Sequence, residues 1–363
     1  MTSMNVSSHP EFDGHEQVVM CEDRASGLRA IIAVHNTSRG PALGGCRMWP
    51  YLNEEAALRD ALRLSRGMTY KSALADLPLG GGKAVIMGDP RRDKSRELLL
   101  AMGDCIEKLG GTYITAEDSG TSVADMEVIG ERTRFVSGVV KGAEHGGDPS
   151  PSTAYGTFIG LKAAVKHRLH SDDLRGLRVA VQGMGNVGFH LARLLRDAGA
   201  ELFVADIHPE LVERAVLELG ATAVAPGIIH ALDVDVFSPC AMGGVINDQS
   251  IDDISAAVIA GAANNQLASR DHGLRLHERN ILYAPDYVLN AGGIIDIAYQ
   301  QGAGDQQAMR AHIDGIANTL TEIFQRAGAE NRSTHAVADE LSESRFQQSA
   351  SQVMPVTAAR AVS

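Results

Sequence analysis

A glycine motif between a strand-like segment and a helical pattern restricts the fold of this chain more than any other feature. Residues 183–188 read G-M-G-N-V-G. An apolar, strand-like run at 177–182 precedes the motif, and an amphipathic helical pattern at 186–198 begins inside it. A strand, a tight turn and a helix in this order predict a βαβ unit whose turn binds phosphate.

Each residue of the motif has a separate physical function in such a unit. Gly183 makes the tight turn, Gly185 lets the backbone approach a pyrophosphate, and Gly188 lets the helix pack closely on the strand. Asn186 and Val187 open the helix, where backbone N–H groups are free to bind phosphate oxygens. These five positions are therefore candidate dinucleotide-binding residues.

The nucleotide is expected to be NAD. A second strand-like run at 201–205 ends at Asp206, about 20 residues beyond the glycines, where an acid binds the ribose 2′-hydroxyl. No arginine stands beside Asp206 to take the 2′-phosphate of NADP. A flavin site, another nucleotide site and a glycine-rich turn without a ligand remain the alternatives.

The whole chain alternates strand-like and helix-like segments, which is typical of α/β domains. Helices are predicted at 54–66, 95–109 and 186–198. Strands are predicted at 16–21, 28–35, 83–87 (after a glycine turn at 80–82), 113–116, 177–182, 201–205, 234–237, 257–260 and 281–283. The first two strands are predicted to form a hairpin.

The length of 363 residues suggests about two domains. The segment 140–153 is rich in Gly, Pro and Ser, and we interpret it as a hinge or domain boundary. We therefore expect a first domain at about 1–148 and a Rossmann domain at about 149–330.

Two lysines and an aspartate carry unusual chemistry in the first half. Lys71 ends a helix pattern, Lys83 stands between three glycines and an apolar strand, and Asp118 follows the strand at 113–116. Burial of Lys83, together with a nearby cation such as Lys71, would lower its pKa toward the range of a general base. Asp118 could pair with Lys83 and handle a second proton.

Composition excludes several classes of function. The net charge is −12, so the chain repels the negatively charged backbone of a nucleic acid, and we expect no such partner. No apolar run approaches the ~20 residues of a membrane span, and the N-terminus does not resemble a signal peptide. The four cysteines form no C-x-x-C motif, which favours reduced thiols in a cytoplasmic protein. No group of residues has the spacing of a metal site, and we expect no metal.

A set of glycine-rich and polar segments extends this interpretation over nearly the whole chain. The segments are residues 41–48, 67–71, 79–83, 116–121, 183–188, 237–244, 260–267 and 283–293. In this order they resemble the signature of the amino-acid dehydrogenases that act on glutamate, leucine, phenylalanine or valine. The NAD-dependent leucine/valine branch is the nearest match.

The resemblance implies a role for each matching position. Lys83 would activate water and polarise the carbonyl, Asp118 would move a proton to and from the substrate nitrogen, and Lys71 would hold the substrate carboxylate. The backbone around Gly44 and Met68 would lie beside that carboxylate. The substrate side chain would lie near Leu43, Ala116, Thr153, Leu289 and Ile294. The cofactor would lie near Asn265 and Asn290 at the nicotinamide, and near Cys240 and Ala241 at the ribose.

Oxidative deamination needs a carboxylate clamp, a base of near-neutral pKa and a proton shuttle, and these residues meet that need. Leu43 and Ile294 favour an aliphatic substrate, and no cation is placed to bind the γ-carboxylate of glutamate. Cys46 and residues 74–76 also occur in phenylalanine-type relatives, so an aromatic substrate is the alternative. Asp296 differs from the residue common in leucine enzymes and could change the polarity of the pocket.

The implied architecture is two α/β domains around a cleft. The first would bind the substrate and form a homo-oligomer, a dimer or octamer, and the C-terminal residues 331–363 would pack back on it. The other functions considered are a non-catalytic nucleotide-binding relative and a 2-hydroxy acid dehydrogenase. The presence of both Lys83 and Asp118 argues against the first. The set of Lys71, Lys83 and Asp118 argues against the second, because that chemistry usually uses a His–acid pair with Arg.

Overall fold

The computed structural model describes residues 6–139, 148–300 and 305–348. Its contacts divide the chain into two compact units. The first comprises the chain up to Asp148 together with the residues from Ser342 onward, and the second runs from Pro149 to Leu341. Each unit is built on its own β-sheet with helices, so the expected α/β fold class is confirmed.

The sheet of the first unit is mixed, with strand order β1-β2-β4-β3-β5. Its strands are β1 (Gln17–Asp23), β2 (Leu28–Asn36), β3 (Ala42–Trp49), β4 (Gly80–Met87) and β5 (Tyr113–Glu117). Strands β1 and β2 form the expected antiparallel hairpin, and β2 also pairs antiparallel with β4. Strand β3 lies parallel between β4 and β5, so the ends of these three strands lie next to one another.

The helices of the first unit are α1 (Glu54–Leu74), α2 (Arg96–Glu107) and α3 (Val123–Gly130). Asn53 caps α1 by accepting a hydrogen bond from the Ala56 N–H at 2.8 Å. The helix continues beyond the predicted end at residue 66, because Tyr70, Ala73 and Leu74 extend its buried face past Gly67.

The predicted glycine turn at 80–82 is wrong, because these residues form the first part of β4. Each position is so crowded that a side chain has no room. A Cβ on Gly80 would lie 2.0 Å from the Asn36 carbonyl oxygen, and one on Gly81 would lie 2.0 Å from the Thr69 nitrogen. The glycines therefore serve close approach of neighbouring backbones rather than chain reversal.

A buried side-chain contact fixes the last part of α1 against β2. His35 is buried in β2 at a point where the pairing with β4 shifts register, and its Nδ1 lies 2.8 Å from Thr69 Oγ1. The Thr69 nitrogen in turn packs against Gly81. This arrangement positions the segment of α1 that carries Met68 and Lys71.

The second unit contains a fully parallel sheet in the order β11-β10-β9-β6-β7-β8. Its strands are β6 (Arg178–Gln182), β7 (Glu201–Ala205), β8 (Thr222–Ala223), β9 (Val236–Pro239), β10 (Val258–Ile259) and β11 (Leu282–Tyr283). This is the doubly wound order of a dinucleotide-binding fold, and the order reverses between β6 and β9. Ligands of such sheets bind beyond the carboxyl ends of the strands at that point.

Helices complete the second unit. They are α4 (Ser150–Leu169), α5 (Asn186–Asp197), α6 (Pro209–Leu219), α7 (Arg270–Glu278), α8 (Asp286–Leu289), α9 (Gly292–Gln300), α10 (Gln306–Asp314) and α11 (Ile316–Glu330); α12 (Thr334–Gln348) follows them. No helix in the described ranges is long and apolar enough to cross a membrane.

The segment interpreted as a hinge, 140–153, is only partly described. Residues 140–147 lie outside the described residues. Residues 150–153 are helical, because α4 begins at Ser150 and Pro151 occupies its first turn. Proline suits that position, since its fixed φ matches the helix and its missing N–H would have no partner there.

The division between the two units falls within α12, later in the chain than the expected limit at residue 330. Its first part belongs with the second unit, where Tyr287 donates a hydrogen bond to Asp339 at 2.8 Å. Its last part belongs with the first unit, where Tyr70 donates to Glu343 at 2.8 Å and Phe346 packs beside the Tyr70 ring. Residues 349–363 of the predicted C-terminal segment lie outside the described residues.

Candidate active site

Lys83 and Asp118 form a buried ion pair in the first unit. Lys83 lies in β4 with 6% of its surface exposed, and its Nζ donates a hydrogen bond to Asp118 Oδ2. Asp118 follows the last residue of β5, and its Oδ1 accepts a hydrogen bond from the Ser119 N–H at 2.6 Å. The Asp118 N–H donates to Thr121 Oγ1 at 3.0 Å. The carboxylate is therefore held rigidly against the ammonium.

Two glycines of β3, which lies between β4 and β5, allow this approach. A Cβ on Gly45 would lie 2.7 Å from the Asp118 Cβ, and one on Gly44 would lie 1.7 Å from the Gly82 carbonyl oxygen. Position 44 therefore requires glycine for packing, in addition to the backbone contact with substrate that we expect there. A side chain at Gly45 would collide with the Asp118 side chain, and one at Gly44 would collide with the β4 backbone just before Lys83.

Burial and neighbouring charges set the protonation of this pair. Burial lowers the pKa of Lys83; Asp118 opposes that change and Arg47 reinforces it. For Asp118, burial favours the neutral acid, but Lys83 and Arg47 outweigh burial and hold its pKa well below the usual range. The pair thus combines an amine whose pKa is lowered with a carboxylate that stays ionised.

The other candidate residues of the first unit lie on neighbouring elements. Lys71 is buried in the last turn of α1, and Met68 is half-buried one turn earlier. The contact between Thr69 and Gly81 brings this part of α1 to β4, two residues before Lys83. Leu43 in β3 and Ala116 in β5 are both buried.

The glycine turn of the second unit follows β6 as expected. Gly183 has a φ of +103°, and a Cβ there would lie 2.7 Å from the Ala241 nitrogen. A Cβ on Gly188 would lie 1.9 Å from the Gly183 carbonyl oxygen, whereas one on Gly185 would meet nothing within 4 Å. Gly185 caps α5 without a side-chain hydrogen bond, and Asn186 beside it is exposed. The helix thus opens toward free space with unsatisfied N–H groups, which is the environment that a pyrophosphate requires.

Asp206 lies beside this turn. Its Oδ2 accepts a hydrogen bond from the Met184 N–H at 2.6 Å, and its Oδ1 accepts one from the His208 N–H at 2.9 Å. Cys240 and Ala241 follow β9, on the other side of the turn. Burial raises the pKa of the Cys240 thiol, so it is a packed neutral group rather than a nucleophile.

A pair of asparagines marks a further polar position in the second unit. Asn290 is 4% exposed, and its Nδ2 donates to the Asn264 Oδ1 at 2.7 Å and to the Ala262 carbonyl at 3.1 Å. Its buried Oδ1 has no hydrogen-bond partner among the described residues. The predicted neighbour, Asn265, instead has a φ of +51° and contributes its carbonyl oxygen, which accepts from the Gly244 N–H at 2.7 Å. Asn264 is thus a residue that sequence reasoning missed, although it stands next to Asn265 in the chain.

The candidate substrate residues of the second unit do not all have the same environment. Thr153 packs against Gly293, because a Cβ on that glycine would lie 2.4 Å from Thr153 Oγ1. Gly293 directly precedes Ile294 in the chain. Leu289 is fully buried, and its Cδ2 fills the space beside Gly160 of α4. The Asp296 carboxylate is bound by the Ser152 hydroxyl at 2.6 Å and by the Gln300 amide at 2.9 Å, so its charge is already hydrogen-bonded.

Comparisons with known proteins agree with this arrangement. Residues 15–135 match the family described as Glu/Leu/Phe/Val dehydrogenase, dimerisation domain. Residues 147–208 and 210–360 match Glutamate/Leucine/Phenylalanine/Valine dehydrogenase. The expected resemblance is therefore confirmed.

Individual relatives are similar over nearly their whole length. A leucine dehydrogenase of Geobacillus stearothermophilus is 50% identical over 344 residues, which are 95% of this chain and 94% of that protein. A valine dehydrogenase of Streptomyces virginiae is 45% identical over 343 residues, 93% of this chain and 95% of that protein. The crystal structure of L-tryptophan dehydrogenase from Nostoc punctiforme has a TM-score of 0.77 and 44% identity, covering 93% of this chain and 97% of that one. The chain therefore belongs to the Glu/Leu/Phe/Val family of amino-acid dehydrogenases.

Proposed function

We propose that this protein catalyses the reversible, NAD-dependent oxidative deamination of a branched-chain L-amino acid to the 2-oxo acid and ammonium. As a member of its family, the chain is an amino-acid dehydrogenase, an oxidoreductase. The observation that carries the proposal is the buried Lys83–Asp118 pair, because water addition to an imine needs such a base and proton shuttle. The 50% identity with a leucine dehydrogenase supports a branched-chain substrate.

Lys83 is the proposed base. A dinucleotide bound to the second unit would supply the acceptor for the hydride that leaves the substrate Cα. The neutral Lys83 amine then takes a proton from the water that attacks the imine carbon, and its ammonium stabilises the developing carbonyl oxygen. The lowered pKa of Lys83 supports this assignment, since a base works best when its pKa is close to the working pH.

Asp118 is the proposed proton carrier at the substrate nitrogen. Its carboxylate accepts a proton from the substrate ammonium before hydride transfer and returns it to the nitrogen after water has added. The departing ammonia then takes the hydroxyl proton and leaves as ammonium. Lys71 is the proposed partner of the substrate carboxylate, with the backbone around Gly44 and Met68 beside it. A buried lysine suits this role, because a charge-assisted hydrogen bond is strong where water is excluded.

The proposed substrate pocket is aliphatic. Its proposed apolar residues are Leu43 and Ala116 of the first unit and Leu289 and Ile294 of the second, all of them buried, with Thr153 as the polar member of the set. No aromatic or charged side chain belongs to this set, which supports leucine, valine and isoleucine as substrates. Phenylalanine or another aromatic amino acid is the second candidate, because an L-tryptophan dehydrogenase is a relative of similar length.

The residues of the second unit fit a nicotinamide dinucleotide. Gly183, Gly185 and Gly188 with the N–H groups of Asn186 and Val187 would hold the pyrophosphate, and Asp206 would hold the adenosine ribose. Cys240 and Ala241 would border the nicotinamide ribose. Asn265 and Asn290 would lie at the nicotinamide, where the unpaired Asn290 Oδ1 offers an acceptor. We further propose that the first unit forms a homo-oligomer, as its family description suggests, and that the protein is cytoplasmic.

The function is tested by following NADH absorbance with L-leucine, L-valine, L-isoleucine, L-phenylalanine, L-tryptophan and L-glutamate, each with NAD and NADP. We expect the largest kcat/KM with an aliphatic amino acid, exceeding that of glutamate by at least about 100-fold, since a charged γ-carboxylate finds no partner in the pocket. L-lactate serves as the control for hydroxy-acid chemistry. Preferred oxidation of phenylalanine or tryptophan would establish the aromatic alternative, and oxidation of lactate alone would refute the proposal.

Asp206→Ala is expected to raise the Kd for NAD by roughly 10- to 100-fold, because a charged hydrogen bond to the ribose contributes about 1.5–3 kcal/mol. NADP binding should change much less, since the same carboxylate repels the 2′-phosphate. Titration of the protein with each dinucleotide measures both constants.

Two variants control this experiment. Asp206→Asn removes the charge but keeps an acceptor for the Met184 N–H. It therefore distinguishes the effect of the charge on NAD binding from an effect of a distorted turn. Glu218→Gln removes an acidic group from the far end of α6 and should leave both constants unchanged. Equal losses of NAD and NADP affinity in Asp206→Ala would contradict the ribose assignment.

A further inference from the structure

Arg47, a residue of β3, lies beside the pair of Lys83 and Asp118. Its Nε lies 3.6 Å from Asp118 Oδ2, the oxygen that also accepts from Lys83. Its Nη1 donates to Asp60 Oδ2 at 2.9 Å, and the Tyr51 hydroxyl donates to the same Asp60 oxygen at 2.6 Å. The guanidinium therefore bridges a carboxylate of α1 and the carboxylate of the candidate site.

The register of the sheet explains why Arg47 reaches this position. Side chains alternate between the faces of a strand, so Arg47 shares a face with position 45. The Asp118 Cβ packs directly against Gly45. Because Gly45 has no side chain, the next side chain on this face, Arg47, can approach the Asp118 carboxylate.

One donor of Arg47 is unused. The Nε is buried and has no hydrogen-bond partner among the described residues, although Asp118 Oδ2 lies within 4 Å of it. A buried N–H without a partner is costly, and such groups are often held for a functional state. When Lys83 is neutral or turns to the substrate, Asp118 Oδ2 loses its ammonium partner, and the Arg47 Nε–H is the nearest cationic donor to replace it.

We propose that Arg47, held by Asp60 and Tyr51, is a positioning residue that supplies a permanent positive charge to Asp118 when Lys83 acts as the base. This inference rests on the proposed function of Lys83 and Asp118. In this role Arg47 keeps the Asp118 carboxylate ionised and fixes its orientation while the charge of Lys83 changes. Arg47 itself need not contact the substrate.

The electrostatics of the pair support this assignment. The guanidinium lowers the pKa of Lys83 and also the pKa of Asp118, whereas Asp60 raises the pKa of Lys83. Of the other titratable groups nearby, Cys46 of β3 is neutral, because burial raises the pKa of its thiol to about 12, and Tyr51 is neutral because burial and Asp60 raise its pKa. The charges that act most strongly on the pKa of Lys83 are therefore Asp118 and Asp60, which raise it, and Arg47, which lowers it.

The test compares the pH dependence of kcat/KM for L-leucine in Arg47→Gln and Asp60→Asn. Arg47→Gln removes the charge that lowers the pKa of Lys83, so the acidic limb of the profile should move to higher pH by roughly one unit. Asp60→Asn removes a charge that raises the same pKa, so that limb should move to lower pH. Arg47→Lys retains the charge and should keep the limb within about 0.3 unit of wild type, even if the rate falls.

A matched control removes a surface charge from the same sheet. Arg29 pairs with Glu54 in an exposed ion pair, and Arg29→Gln should leave the profile unchanged, because exposed charges are screened by solvent and salt. Thermal unfolding of every variant identifies any that fail to fold. Loss of stability alone would lower rates without moving the limb.

A second readout is independent of turnover. Acetic anhydride labels only the neutral amine, so peptide mass spectrometry of the Lys83 peptide as a function of pH reports its protonation directly. We expect the labelling midpoint to rise in Arg47→Gln and to fall in Asp60→Asn. Unchanged midpoints, or shifts of the same sign, would overturn the role of Arg47. An active Lys83→Ala variant would instead refute the proposed function of the pair, so the two failures are distinguishable.

Discussion

Lys83→Ala is expected to lower kcat for L-leucine oxidation by about 10³-fold or more while the Kd for NAD changes less than about twofold. The variant loses the proposed base for water activation and the proposed cation for the carbonyl oxygen. NAD binding should survive, because its candidate residues belong to the second unit, which has its own sheet. Steady-state NADH absorbance measures the first quantity, and calorimetric titration with NAD measures the second.

The control for this variant is Lys108→Ala. Lys108 is an exposed lysine at the end of α2 in the same unit, and its loss should leave kcat unchanged. If Lys83→Ala deaminates leucine at a rate near wild type, the proposed mechanism is wrong. If NAD binding disappears as well, the change has disrupted more than the catalytic step.

Gly188→Ala should destabilise the second unit by about 2–3 kcal/mol and lower its thermal midpoint by roughly 5–10 °C. The added Cβ would lie 1.9 Å from the Gly183 carbonyl oxygen and 3.3 Å from the Cys240 Cβ. The first contact is with backbone that cannot turn away, so α5 must move from β6 and the glycine turn must deform. Differential scanning calorimetry and NAD titration should therefore both show a loss.

Gly185→Ala is the matched substitution in the same turn and should separate stability from binding. Its φ of −66° suits alanine, and its Cβ would meet no protein atom within 4 Å. We expect a change in thermal midpoint below about 2 °C but a loss of NAD affinity of about tenfold or more, because the methyl occupies the space that a pyrophosphate needs. Unchanged NAD affinity would show that the pyrophosphate does not lie against this residue.

The parts of the fold that sequence predicts well depend on local patterns. Strand β7 begins and ends at the predicted residues, and α5 differs by one residue, because a buried strand, a glycine turn and an amphipathic helix are each encoded within a short window. The hairpin of β1 and β2 is also encoded locally, although β1 begins one residue and ends two residues later than predicted. Of the candidate site, Lys83 and Asp118 could be singled out because an ammonium or carboxylate beside an apolar strand needs a partner.

The predictions that failed depend on neighbours that are distant in sequence. Three consecutive glycines indicate a turn, yet residues 80–82 are strand, because Asn36, Thr69 and the ring of Tyr113 press on them from other elements. Leu289, by contrast, stays a candidate for the substrate pocket, and its packing against Gly160 of α4 is likewise a contact that the sequence did not indicate. Neither contact leaves a periodic signal in the local sequence.

The amino-acid sequence by itself determined the glycine turn after β6, the alternation of strands and helices, and the presence of the residue types proposed to carry out deamination. Only the tertiary structure decided that Lys83 and Asp118 meet across Gly45, that Asn264 rather than Asn265 bonds the side chain of Asn290, and that Arg47 joins Asp60 to Asp118. The physical reason is that periodicity and turn chemistry act over a few residues, whereas burial, pKa shifts and ion pairing depend on which strands become neighbours in the sheet.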